Sequence, residues 1–204
     1  MIRITALSLA GMVVLVLAAC SGLLTSDQPP TRTYWLQPYA GQPENSPSLA
    51  GGLVVTVGVV PGLDSDRLLT LGPGSGMNHI SGARWPDYLP EFAASLMQRS
   101  LRASGLPDPP ASDEEEAQQH DCLLELLFQR FYTRLDRHDQ PVSVEVSVSA
   151  SLDCGDRRFK VQLDENPGVT GARVADVVAA HQEALNRISR QLWTLLDEPA
   201  AAQP

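Results

Sequence analysis

Two stretches of alternating residues, CLLELLFQRFY at 122–132 and VSVEVSVSASLDC at 142–154, set the architecture of this chain. Apolar side chains occupy nearly every even position, while the odd positions of the second stretch are mostly serine. Alternation of period two is typical of antiparallel strands with one buried and one solvated face. Because the segment 134–140 between them is charged and turn-prone, the sequence predicts one long hairpin.

The same hairpin brings two cysteines opposite each other. If the chain turns about His138, opposed residues have numbers with a constant sum, and 122 + 154 = 276 pairs Cys122 with Cys154. That register also pairs Phe128 with Val148, so the apolar faces coincide. Directly opposed strand residues are close enough for a disulfide after modest adjustment. We therefore predict a Cys122–Cys154 bond, with two buried free thiols as the alternative.

Segments on either side of the hairpin predict helices and further strands. Apolar periodicity indicates a helix over about 87–104 and another over about 170–197. Short β-prone runs at 31–36, 53–60, 67–71 and 157–163 predict strands, whereas the glycine-rich stretch from Gly72 toward Arg84 predicts a loop. The expected fold class is α+β, with an antiparallel or mixed sheet packed against the two helices. The helical apolar positions are Leu89, Phe92, Ala93 and Leu96 in the first, and Val174, Val178, His181, Leu185, Ile188, Leu192 and Leu195 in the second.

The N-terminus predicts export and a covalent lipid. Arg3 precedes an apolar run at 4–19, and Leu17-Ala18-Ala19-Cys20 resembles the lipobox of bacterial lipoproteins. A run of sixteen residues is short of the ~20 that a membrane-spanning helix needs. A spanning helix and a plain secreted protein are the alternatives. Because Ser21 rather than aspartate follows the cysteine, the expected destination in a cell with two membranes is the outer membrane, with the domain facing the periplasm.

Four regions follow from this interpretation. We expect a signal peptide at 1–19, a lipidated flexible tether at 20–31, a single domain at 32–198 and a disordered tail at 199–204. The chain carries a formal net charge of −9, and loss of Arg3 with the signal makes it −9 − 1 = −10. Phosphate backbones and anionic bilayers repel such a protein. Nucleic acid is therefore not an expected partner, and membrane attachment must come from the lipid.

No residue pattern predicts catalysis or a metal centre. The histidines His79, His120, His138 and His181 have no metal-ligand spacing, and His181 falls on the apolar seam of the second helix. Asp64-x-Asp66 lacks the glycine and glutamate of a calcium loop. Gly72-Pro-Gly-Ser-Gly76 lacks the lysine of a phosphate-binding loop. The sequence thus predicts no enzyme, no metal and no cofactor other than a covalent lipid on Cys20.

Several short motifs in one order resemble the ABC-type transport auxiliary lipoprotein family, which includes the paraquat-inducible protein C-like members. They are the lipobox Cys20, Tyr34-Trp35-Leu36, a valine-rich strand ending in Pro61 with Leu63-Asp64, and Arg84-Trp85 with Leu89 four residues after the tryptophan. The resemblance implies a non-catalytic periplasmic component of a lipid-transport system. Its implied partners are an ABC transporter and an MCE-domain protein that bridges the periplasm. It also implies self-association into a homo-oligomer and supplies no catalytic residues.

A second interpretation belongs to a different class of function. A stand-alone periplasmic lipoprotein would bind a small apolar ligand between its sheet and helices, or assist envelope assembly. A lipid that copurifies with monomeric protein would favour this alternative, whereas an MCE-domain or ABC neighbour would favour the first interpretation.

Overall fold

The computed structural model describes residues 30–41, 53–103, 122–154 and 157–197. All of them except Pro30 belong to one compact unit that spans Thr31–Pro204. The elements in chain order are β1 (Arg32–Thr33), β2 (Leu53–Val59), β3 (Arg67–Leu71), β4 (Met77–Arg84), α1 (Leu89–Ala103), β5 (Cys122–Leu135), β6 (Pro141–Cys154), β7 (Arg157–Glu165) and α2 (Val174–Asp197).

The strands form a mixed seven-stranded sheet, which confirms the predicted α+β class. Neighbouring strands follow the order β1-β4-β3-β5-β6-β7, and β2 also pairs with β5. Strands β2 and β3 both run parallel to β5, β2 along its first half and β3 near its end at Thr133 and Arg134. The β5–β6 and β6–β7 pairs are antiparallel. The long hairpin is therefore the centre of the sheet, and the other strands extend it on both sides.

The predicted hairpin register holds over the first half of β5. Leu124 lies opposite Leu152 and Phe128 opposite Val148, and the structure contains the Cys122–Cys154 disulfide. A β-bulge at Gln129 then shifts the register by one residue. Gln129 and Arg130 are both exposed, and beyond them the odd positions Phe131 and Thr133 are buried along with Tyr132. The simple alternation predicted for β5 is therefore wrong beyond Phe128, because a bulge adds one unpaired residue to its strand.

Both helices cover the same face of the sheet. Helix α1 packs against β2, and α2 packs against β6 and β7. The four predicted apolar positions of α1 are all buried. In α2, His181, Leu185, Ile188 and Leu192 are buried as predicted, whereas Val174, Val178 and Leu195 are only partly buried. Val177, Trp193 and Leu196 are buried instead, so the buried stripe is broader than the predicted seam.

Three predicted element boundaries or types are wrong. The stretch 77–84, predicted as loop, is strand β4, because it pairs with β3 on one side and β1 on the other. Gly82 has φ +69° within it, where the β3–β4 register is irregular, and glycine tolerates that conformation without steric cost. Helix α2 begins at Val174 rather than near residue 170, and β1 has only two residues. The predicted signal peptide, Cys20, most of the tether and the tail lie outside the described residues.

Candidate functional site

Trp85 is the centre of a buried aromatic cluster. Its ring stacks on Phe92 of α1 at a centroid distance of 5.4 Å. Phe131 of β5 and His181 of α2 meet it edge-on at 5.8 Å and 5.3 Å. These contacts join both helices to the sheet, and they leave Trp85 only 1% exposed. This motif residue therefore has a structural position in the core, which suits the large apolar surface of an indole.

The motifs that are far apart in sequence meet around Arg84 and Trp85. The amide of Tyr34 donates to the carbonyl oxygen of Arg84 at 2.8 Å, and the amide of Trp85 donates to the carbonyl oxygen of Asp66 at 2.7 Å. The amide of Leu89 donates to the carbonyl oxygen of Ser65 at 3.2 Å. Backbone hydrogen bonds thus hold the three motif segments in fixed positions around the start of α1.

Within this assembly the motif side chains divide into buried and exposed groups. Leu36, Leu63 and Leu89 are buried with Trp85, whereas Tyr34 is partly buried. Trp35, Pro61, Asp64 and Arg84 are exposed. The buried group explains the fold, and the exposed group is the part that is available to a partner.

The segment that follows β1 crosses both helices. The amide of Gln37 donates to Oε1 of Gln182 in α2, and Nε2 of Gln182 returns a hydrogen bond to the Gln37 carbonyl at 3.0 Å. The amide of Tyr39 donates to Oγ of Ser100 in α1 at 2.9 Å. Residues 34–41 therefore tie the two helices together, and Leu36 is buried in this segment while Trp35 remains outside.

His181 is a buried, neutral histidine in the core. Its Nε2 lies 3.4 Å from Oγ1 of Thr133, and its Nδ1 has no hydrogen-bond partner among the described residues. Burial lowers the pKa of His181 to about 3, because the charged imidazolium loses its hydration. The sequence placed this residue on the apolar seam of α2, and the structure agrees. Within the described ranges no group of three or more potential metal ligands occurs, at His181 or elsewhere.

The face of the sheet opposite the helices carries a polar network that the sequence analysis did not single out. The hydroxyl of Tyr132 donates to Oε2 of Glu145 at 2.9 Å, and Nε of Arg134 donates to Oε1 at 2.5 Å. Arg130 lies 3.5 Å from Glu145 and 2.7 Å from Asp164. Burial is the largest influence on Glu145 and opposes ionisation, but the Arg134 and Tyr132 hydrogen bonds outweigh it and lower the pKa. Burial and the Glu145 hydrogen bond raise the pKa of Tyr132.

Such a network stabilises a charged carboxylate without preparing it for catalysis. A general base at neutral pH needs a raised pKa, and Glu145 has the opposite shift. Its neighbours are strand residues with paired charges rather than a nucleophile. The polar alternation of β5 and β6 is the signal that could have located this network in the sequence.

A cleft of about 420 Å³ opens between the β3–β4 turn, the hairpin tip and the start of α2. This volume lies within the range of small-molecule sites, roughly 300–1,000 Å³. Its lining is mixed. The apolar side comes from Ile80, Leu135, Pro141, Ala172, Val174 and Val177, and the polar side from Thr70, Asn78, His79 and Asp139.

Comparison with known proteins identifies the family. The sequence profile of the ABC-type transport auxiliary lipoprotein component matches residues 34–192. The chain belongs to this family. The matched range contains the whole sheet from β2 onward and most of α2. No functionally curated protein shows significant sequence similarity to the chain.

Solved structures share the fold. A protein from Xanthomonas campestris, assigned to the DUF330 family, superposes with a TM-score of 0.62 at 19% identity, over 85% of this chain and 96% of that one. An uncharacterized protein superposes with a TM-score of 0.60 at 12% identity, over 81% of this chain and 98% of that one. Family membership makes this a transport auxiliary lipoprotein component. In the described parts of the chain, neither helix is long and apolar enough to cross a membrane.

Proposed function

We propose that this protein is an outer-membrane-anchored periplasmic lipoprotein that docks the periplasmic partner of an ABC/MCE-type lipid-transport system. The family match over 34–192 carries the proposal. The lipobox ending at Cys20 supports the anchor, and the lowered pKa of Glu145, the carboxylate at the centre of the polar network, supports a non-catalytic role. In this proposal the covalent lipid on Cys20 is the only attached group, and the protein forms a homo-oligomer.

Anchoring is tested by substitution at the lipobox. In the cell, Cys20→Ser removes the sulfur that would take the lipid, so the precursor should stay unprocessed or leave the membrane fraction. Ser21→Asp is the matched variant, which should remain lipidated but fractionate with the inner membrane. A Cys20→Ser protein that is processed and fractionates like the parent would show that the anchor assignment is wrong.

Docking is tested with the native lipoprotein in mild detergent. We expect an MCE-domain protein to copurify, and deletion of either gene should weaken the envelope barrier to the same degree as deletion of both. Additive defects would indicate separate systems. Robust substrate turnover by the purified domain, abolished by a point substitution, would contradict a non-catalytic role.

The cleft favours a second candidate function, the binding of a small apolar ligand. Its volume of about 420 Å³ and its aliphatic side suit an acyl chain or a molecule of similar polarity. Organic extraction of purified monomeric protein, followed by mass spectrometry, tests this candidate. A stoichiometric lipid that is lost on substitution of Val174 by aspartate would support it, and a ligand-free monomer would count against it.

A further inference from the structure

We propose that an exposed aromatic surface beside β1, formed by Trp35, Tyr88 and Arg84, contacts the zwitterionic headgroup layer of the membrane that holds the anchor. We call it the Trp35 surface. The proposal rests on the proposed lipidation of Cys20. It adds a second, non-covalent contact that would orient the domain on the bilayer.

Exposure of Trp35 is unusual for this chain. Its three tryptophans are all described, and Trp85 and Trp193 are buried in the core. Trp35 is 59% exposed, although the next residue, Leu36, is only 1% exposed. Tyr88 is 54% exposed. Tryptophan and tyrosine combine an apolar ring with a polar hydrogen-bonding group, and they are enriched where a membrane meets water.

One exposed aromatic residue is held beside an exposed arginine, and the other lies close to that arginine in the chain. Trp35 directly follows Tyr34, whose amide is bonded to the Arg84 carbonyl oxygen at 2.8 Å, and Tyr88 follows Arg84 by four residues. The Arg84 guanidinium donates to Oγ1 of Thr33 at 3.3 Å and lies 3.9 Å from Asp66. Its side chain remains 52% exposed, so its other donors can reach a lipid phosphate.

The surrounding charges favour a zwitterionic layer. Arg67 lies opposite Arg84 in the β3–β4 register and is exposed as well, while Asp66, 3.3 Å from Arg67, and the exposed Asp64 and Asp87 supply carboxylates. A headgroup with one phosphate and one ammonium can meet both signs, whereas an anionic surface would meet the carboxylates and the net charge of −9. The contact should therefore depend on the aromatic rings and respond weakly to salt.

The position of the anchor selects a membrane over another protein as the occupant. Arg32, the first strand residue, is twelve positions after Cys20, which limits the distance between the two residues to about 40 Å. The tether enters the domain at β1, three residues before Trp35. An anchored domain meets the bilayer at high effective concentration, so a weak interfacial affinity is sufficient.

The test uses Cys20 as a chemical handle. Because the chain has three cysteines and two of them form the disulfide, Cys20 is the single free thiol of the mature chain 20–204. It is coupled to a maleimide lipid in phosphatidylcholine vesicles, with or without brominated acyl chains. Since Trp85 and Trp193 are buried, bromine should quench Trp35 selectively.

The emission of Trp35 is the difference between the parent and Trp35→Phe in plain vesicles. We expect brominated vesicles to remove most of this emission. Trp35→Phe should show almost no bromine-dependent loss, and Tyr88→Ser should show a smaller loss than the parent. High salt should leave the quenching unchanged. These surface substitutions leave the core intact, so circular dichroism should match the parent.

Two results would overturn the proposal. One is equal Trp35 emission in plain and brominated vesicles, with quenching by acrylamide as strong as in solution. The other is Trp35 shielding that arises only when a purified MCE-domain partner is added, which would make this a protein-docking surface. Mass analysis of the membrane-extracted protein tests lipidation separately. A missing lipid refutes the proposed anchor, whereas the chemically tethered arm still reports whether the surface contacts the bilayer.

Discussion

The buried imidazole of His181 makes folding stability depend on pH in a way that can be calculated. In the unfolded chain a histidine has a pKa near 6.5, and burial lowers that of folded His181 to about 3. Between these values the unfolded chain binds a proton that the folded protein excludes. The contribution of His181 to the free energy of unfolding is therefore fully present above about pH 6.5 and is lost as the pH falls toward 3.

The expected size of the loss follows from the linkage relation. Acidification from about pH 7.5 to about pH 5 should lower the free energy of unfolding by about 2 kcal/mol through His181 alone. The contacts of the ring explain why the effect is not offset. Trp85, Phe131 and Thr133 surround it, and none of them carries a negative charge that would offset the lost hydration of the imidazolium.

Urea denaturation at the two pH values measures the effect in the parent and in His181→Gln. Glutamine keeps a hydrogen-bonding group near Thr133 but does not titrate, so the variant should lose about 2 kcal/mol less than the parent on acidification. His138→Gln, in the exposed hairpin turn, is the matched control and should behave like the parent. Titrating groups other than His181 are the same in the parent and in His181→Gln and cancel in that comparison.

Equal losses in the parent and His181→Gln would refute this reasoning. They would mean that the folded protein accommodates the charged ring, through water or a local opening, at no measurable cost.

Three further predictions concern the hairpin and the helix layer. Thiol titration of the unfolded, unreduced mature domain carrying Cys20→Ser should find no free thiol, and two reactive thiols would contradict the disulfide. The double substitution Cys122→Ser with Cys154→Ser should lower the free energy of unfolding by about 3–4 kcal/mol. Glu145→Gln should lower the pKa of Tyr132 in a spectrophotometric titration, because a negative charge and a strong acceptor are removed, and an unchanged pKa would contradict the network. Leu36→Ala should cost about 2–5 kcal/mol in chemical denaturation, whereas Trp35→Ala next to it should cost far less, since only Leu36 is buried.

The sequence by itself determined the hairpin, its initial register and the two helices. These features depend on local periodicity, because a strand buries every second residue and a helix buries every third or fourth. The pairing of Phe128 with Val148 followed from a turn about His138 together with the apolar faces, since a slip by one residue would have exposed them. The ordered motifs were also sufficient to predict the family that the profile match identifies.

The β5 bulge was decided by tertiary packing. Phe128 and Phe131 are three residues apart, so a regular strand would place them on opposite faces. Both are buried and their rings meet at 5.8 Å, which requires the extra residue at Gln129. Arg130, at an otherwise apolar even position, was the available signal. Its outward position lets the guanidinium pair with Glu145 and Asp164.

Strand β4 and the Trp35 surface also depended on contacts between distant segments. The residues of β4 lack a clear alternation, and they become a strand because β1 and β3 satisfy their backbone groups. The sequence named Trp35, Arg84 and Trp85 as motif residues but could not distinguish their roles. Only the folded chain buries Trp85 between the helices and the sheet while leaving Trp35 in water, because burial depends on neighbours that are far away in sequence.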